Sequence, residues 1–204
     1  MPIIVLEGPD ESGKTTLARK LEKELSEAFP GPHDVEYQRS PVKEHGWSDE
    51  YNRYLPNLAS VSNHLVIQDR IPEISESIYG YVRGNARNHG WLFEAGDWFD
   101  YSIFIVFCKA PSSLSISTHN DATGRFIDAT SHDLICDLYN YTYQELEKLV
   151  VHGRLNHFRV GSYDRLKGSK ENQWLWYHLW YWLVHIFPKH RGPIAEVIER
   201  IGSE

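Results

Sequence analysis

The run Gly8-Pro9-Asp10-Glu11-Ser12-Gly13-Lys14-Thr15 sets two glycines four residues apart and follows the second with a lysine and a hydroxyl side chain. That spacing builds a loop whose backbone N–H groups converge on phosphate oxygens. The lysine then reaches the β and γ phosphates of a nucleoside triphosphate, and the hydroxyl can ligate magnesium. The chemistry needs a helix N-terminus behind the loop, because aligned peptide dipoles add positive potential where the phosphates sit. Gly8, Pro9, Asp10, Glu11, Ser12, Gly13, Lys14, Thr15 and Thr16 therefore form the candidate nucleotide-binding set, with ATP as donor and Mg²⁺ beside it.

A second group is Asp69-Arg70, which closes the aliphatic stretch Leu65-Val66-Ile67-Gln68. The C-terminal end of a parallel strand is where open α/β sheets bind ligands. Arg70 placed there can clamp an acceptor phosphate, and Asp69 can hold Mg²⁺ directly or through water, together with Thr15. Arg83 and Arg87, interleaved with Tyr79, Tyr81 and Trp91, carry two readings. They could grip a base or a strand of DNA by stacking and phosphate contact, or form an ordinary loop anchored by buried aromatics.

These residues need elements to position them. Pro2 to Leu6 is a β-branched aliphatic run that reads as a strand buried on both faces. Leu17, Leu21, Leu25 and Phe29 then recur at helical spacing until Pro30-Gly31-Pro32. Further strands are read at Val35–Tyr37, Leu65–Gln68, Ser102–Cys108 and His157–Val160, and helices near Asp49–Ser60, Pro72–Tyr79, Pro111–Thr118 and Ser131–Val150. Strands alternating with helices predict an α/β three-layer sandwich, a mainly parallel five-stranded central sheet with Ile3–Leu6 in its middle. Residues 1–204 are read as a single domain, with Gly84–Trp98 and His119–Asp128 as mobile lids that exclude water when both substrates are bound.

Composition narrows the classes. With 21 Lys plus Arg against 28 Asp plus Glu, the net charge of -7 disfavours holding nucleic acid by general phosphate attraction. Two cysteines, Cys108 and Cys136, exclude a disulfide scaffold and suit a reducing cytosol. No basic region precedes a long apolar stretch at the N-terminus, so no signal peptide is read, and no membrane association is expected. The 11 histidines show no zinc-ligand spacing, and no Gly-x-Ser-x-Gly nucleophile turn occurs. Trp174 to Phe187 holds four of seven tryptophans, too many for one face of a peripheral helix, which predicts a core helix that also supports a homodimer.

Glu7-Gly8-Pro9-Asp10-Glu11-Ser12-Gly13-Lys14-Thr15-Thr16 resembles the thymidylate kinase pattern Glu-Gly-x-Asp-x-x-Gly-Lys-Thr-Thr. Asp69-Arg70 resembles that family's Asp-Arg pair, and Ser75-Glu76-Ser77-Ile78-Tyr79 its following Ser-x-x-Ala-Tyr. With Gly80 and Tyr81-Val82-Arg83-Gly84 the wording is most similar to phage-encoded nucleotide kinases of the thymidylate kinase superfamily, which implies a P-loop NTPase fold and a phage-infected host cytosol. The resemblance implies a nucleotide kinase acting on a deoxynucleoside monophosphate such as dTMP. It places Lys14, Arg70, Arg125 and Asp10 in catalysis, Arg125 coming from a lid that covers the phosphates. It places Asp10, Arg39, Arg70, Tyr79 and Arg83 at the acceptor, with Arg39-Ser40-Pro41 echoing an Arg-Glu-Pro loop. Two departures stand out: Glu11 occupies a loop position where some members carry arginine, and Gly80 replaces a glutamine that helps define the base pocket. Two rival functions follow. One is a DNA-modifying kinase that phosphorylates a hydroxymethylated base, 5-hydroxymethyluracil, in DNA. The other is a catalytically weak nucleotide-binding module.

Overall fold

The structure, a computed structural model, describes residues 2–29, 31, 35–39, 65–84, 102–110, 119–120, 126–127, 129–152, 158–167 and 170–203. The elements in chain order are β1 (Pro2–Glu7), α1 (Lys14–Ala28), β2 (Val35–Arg39), β3 (Leu65–Asp69), α2 (Pro72–Val82), β4 (Ser102–Lys109), β5 (His119–Asn120), β6 (Phe126–Ile127), α3 (Ala129–Val151), β7 (Phe158–Asp164), α4 (Gln173–Ile186), a 3₁₀ turn (Pro188–His190) and α5 (Arg191–Ser203). Five strands form an all-parallel sheet in the order β2-β3-β1-β4-β7, with β1 at its centre.

A strand flanked on both sides by strands and on both faces by helices exposes no face to water, so it can be aliphatic throughout. β1 meets that condition, and every one of its residues is buried. Alternate side chains then serve different layers. Ile4 and Leu6 join Phe104 and Val106 under α1, α4 and α5, while Ile3 and Val5 join Ile103 and Ile105 under α2 and α3. The result is the three-layer α/β sandwich of the P-loop fold.

The register matters for the site. Leu6 pairs with Asp69 across β1 and β3, and Arg39 of β2 pairs with Asp69 on the other side. The chain therefore leaves β1 and β3 at one level. It moves off in opposite directions, toward β2 after β1 and toward β4 after β3, which opens a crevice at the carboxyl edge.

Several boundaries differ from the sequence reading. β7 runs to Asp164, because its later residues pair with Val106 to Lys109 of β4. Within the expected lid His119–Asp128, residues 119–120 and 126–127 pair antiparallel. Helix α5 was not anticipated; its buried residues Ile194, Val197, Ile198 and Ile201 pack in the layer of α1 and α4. The helices read near Asp49–Ser60 and Pro111–Thr118, and most of both lids, lie outside the described residues. Of the four tryptophans in α4, Trp176 and Trp182 are buried, Trp180 packs partly against the core, and Trp174 is exposed.

Candidate functional site

The loop between β1 and α1 is forced by close approach. A Cβ on Gly8, whose φ is 152°, would lie 2.4 Å from the Cys108 carbonyl oxygen, so only glycine lets the chain turn away from β4 here. Gly13 closes the loop in the left-handed region and caps α1 without a side-chain hydrogen bond. The first-turn N–H groups of α1 lack intrahelical acceptors and face the loop. Ser12 is fully buried, and its Oγ has no hydrogen-bond partner among the described residues. A buried orphan hydroxyl inside a ring of amide donors fits a phosphate, which would supply the missing acceptor.

Lys14 lies against this loop rather than in solvent. Its Nζ donates to the Pro9 carbonyl at 3.0 Å and sits 3.9 Å from Asp10 Oδ1. Burial, and then the Arg70 charge, bring its ammonium down to about pKa 8. Anionic phosphates arriving beside it would favour the charged form further.

Thr15 Oγ1 donates to Asp69 Oδ2 at 2.6 Å, and Tyr37 Oη donates to the same oxygen at 3.0 Å. A hydroxyl and a carboxylate in contact at the start of α1 are hard oxygen donors, the kind Mg²⁺ takes in ones and twos while keeping several waters. Thr15 and Asp69 therefore fit the metal expected of them.

Arg70 stands across the crevice. Its backbone adopts φ 69°, and its guanidinium donates to Asp10 Oδ1 and, at 3.2 Å, to Tyr79 Oη. Tyr79 Oη also accepts the Asp10 N–H at 3.1 Å, so one phenol ties the phosphate loop to α2. Burial works to raise the Asp10 carboxyl, but Arg70 and Lys14 hold it below the ordinary aspartate range. Arg70 Nε is buried without a hydrogen-bond partner among the described residues.

The site thus gathers Gly8 to Thr15, Asp69, Arg70 and Tyr79 around one crevice. Arg83 caps α2, and its guanidinium lies 5.4 Å over the Tyr79 ring. Arg39 ends β2 beside Asp69, which is as far as its backbone places it. Arg125 and Arg87 fall outside the described residues. Sequence reasoning missed four contributors. Tyr37 reaches Asp69, and Tyr139 of α3 donates to Glu7 Oε2 at 3.2 Å. Gln68 Nε2 donates to the Arg70 carbonyl at 2.8 Å. The Arg165 side chain packs over Gly13, 3.1 Å from where a Cβ would stand. No local pattern marks these residues, since each meets the site only through the tertiary fold.

No protein-family model matches the chain, and no curated protein matches it. Among solved structures it is similar to the YorR protein of Bacillus subtilis, solved in complex with phosphorylated GDP: 22% identity, TM-score 0.54, covering 83% of this chain and 89% of that one. A thymidylate kinase from Ehrlichia chaffeensis aligns at 17% identity and TM-score 0.47 over 80% of this chain and 88% of that one. The likeness to YorR shows a shared fold.

Proposed function

We propose that the protein is a Mg²⁺-dependent phosphotransferase that moves the γ-phosphoryl group of ATP to a nucleotide, most simply a deoxynucleoside monophosphate such as dTMP. The observation that carries this reading is the meeting of two cations on one crevice, Lys14 from the donor side and Arg70 from the acceptor side. Phosphoryl transfer asks the protein for position and positive charge rather than covalent chemistry. The loop amides and Ser12 hold the donor phosphates, and Lys14 places its charge on the group in transit. Arg70 clamps the acceptor phosphate and aligns the attacking oxygen. Thr15 and Asp69 would hold Mg²⁺, which would supply further positive charge against the phosphoryl group in transit. The fold shared with YorR, a protein solved with a phosphorylated nucleotide, agrees with this use of the crevice.

Asp10 favours a second acceptor class. A monophosphate is already ionised and needs no base, whereas a hydroxyl must lose a proton. Asp10 is held as an ionised carboxylate between Lys14 and Arg70, a group that would serve as such a base. A hydroxyl on a nucleoside, or on 5-hydroxymethyluracil in DNA, is the acceptor in this reading.

Labelled ATP and Mg²⁺ offered in turn to deoxynucleoside monophosphates, nucleosides, plain DNA and hydroxymethylated DNA separate these readings. Label on a monophosphate is the expected result. Label only on nucleosides or on hydroxymethylated DNA shifts the assignment to the hydroxyl class, and label nowhere leaves a nucleotide-binding module.

A further inference from the structure

Glu7 is the last residue of β1 and is fully buried, yet it carries a carboxyl group. A buried carboxyl with no task would be replaced at no loss by an apolar side chain, because taking it out of water is costly. Here both oxygens are engaged. Oε1 accepts the Ile71 N–H at 2.6 Å, and Oε2 accepts the Tyr139 hydroxyl at 3.2 Å. Burial pushes this carboxyl up to about pKa 8, so it is mostly protonated at neutral pH and sits in the core largely as a neutral group.

The partner Ile71 directly follows Arg70, whose backbone is left-handed at φ 69°. That conformation is unfavourable for a side chain with a Cβ, and it persists only when the surroundings over-determine it. Three hydrogen bonds do so. The Arg70 N–H donates to the Leu6 carbonyl at 2.9 Å, the Gln68 side chain donates to the Arg70 carbonyl, and Glu7 takes the next N–H along the chain. The left-handed turn points the Arg70 guanidinium back over the phosphate loop, where it meets Asp10 and Tyr79. Tyr139 adds a link from α3, its ring 6.4 Å from that of Tyr79.

We propose that Glu7 is a positioning residue: by holding the Ile71 amide and the Tyr139 hydroxyl it fixes the left-handed turn that aims Arg70 at the acceptor. Both Glu7 oxygens are engaged inside the protein, by Ile71 and Tyr139, so the residue acts through them. This assignment rests on the reading of Arg70 as the acceptor clamp.

Two substitutions of similar volume separate the role from simple packing. Glu7→Gln keeps an acceptor for Ile71 and a polar partner for Tyr139, whereas Glu7→Met fills the space and accepts nothing. Calorimetry with an ATP analogue and with dTMP as the acceptor probe, alongside steady-state kinetics, gives the readout. Glu7→Met is expected to weaken acceptor binding and kcat/KM for the acceptor by about 100-fold, the scale of a misaimed reacting group, with ATP-analogue affinity within about 2-fold of wild type. Glu7→Gln is expected to restore both. Equal loss of donor and acceptor affinity in Glu7→Met, or no loss in either, overturns the proposal. If Glu7→Met does not fold, amide exchange in the wild-type protein decides: slow exchange at Ile71 is expected, and exchange as fast as in an open turn overturns it. Wild-type protein that binds the acceptor but transfers no phosphate would remove the kinase reading and leave the Glu7 assignment standing on binding.

Discussion

At the scale of single residues, charge placed by burial decides what the site can do. Lys14 is buried but belongs to neither apolar core cluster, so Lys14→Ala should lower turnover by about 100- to 1000-fold or more, the size of losing one preorganised cation, while the far-UV spectrum stays native. Turnover within a few-fold of wild type would remove Lys14 from the chemistry. Glu7 gives a stability prediction with a definite sign. Its folded pKa of about 8 lies above the ordinary 4.5, so between those values the folded state holds a proton that the unfolded state has released. The stability this proton contributes is fully present below pH 4.5 and is lost as pH rises through about 8, with a ceiling of roughly 5 kcal/mol. Urea unfolding of wild type and Glu7→Gln across pH 4.5 to 8.5 should therefore show wild type falling relative to the variant. Parallel curves would mean that Glu7 does not titrate differently in the two states.

At the scale of elements, two glycines mark close approaches with different consequences. Gly8 turns β1 into the phosphate loop under the Cys108 carbonyl, so Gly8→Ala must push β1 and β4 apart at the point where the loop amides converge. Nucleotide affinity and stability should fall together, as isothermal titration and thermal unfolding would show. Gly161 on β7 faces Leu175 of α4, whose Cδ1 would stand 2.6 Å from an added Cβ. Gly161→Ala should cost about 1–3 kcal/mol by overpacking and leave nucleotide affinity unchanged, since the strain lies between sheet and helix, away from the crevice. A variant with weakened nucleotide binding would show that β7 and the loop are coupled.

At the scale of the whole molecule, α4 joins the sheet to α5. Leu179 and Leu183 are fully buried in the layer shared by α1, α4 and α5, and Trp182 Nε1 donates to Ser102 Oγ at 2.9 Å at the start of β4. Leu179→Ala should destabilise by about 2–5 kcal/mol, lowering Tm by about 2–4 °C for each kcal/mol, with kcat unchanged below the transition. A variant as stable as wild type would mean that the layer relaxes around the lost volume. Of the tryptophans on this helix, Trp176 and Trp182 enter the core, and the outer face keeps Trp174, Tyr177 and Tyr181. No membrane span accounts for that face, since no helix among the described residues is long and apolar enough to cross one.

Elements whose signals are local are legible in the order of residues alone. Ile3 to Leu6 could only be a doubly buried strand, Leu17, Leu21 and Leu25 only a helix face, and Gly8 to Gly13 only a loop leading into the helix that Lys14 opens. Period, glycine spacing and a following helix N-terminus depend on neighbours within a few residues, so one chain read in order contains them. The tertiary structure decided which distant groups complete that loop. Asp69 meets Thr15 and Tyr37, Arg70 meets Asp10 and Tyr79, and Tyr139 meets Glu7, because strand order and register put the ends of β1 and β3 side by side. Those contacts span 9 to 132 positions along the chain. A hydrogen bond depends on separation in space, which sequence spacing alone does not carry.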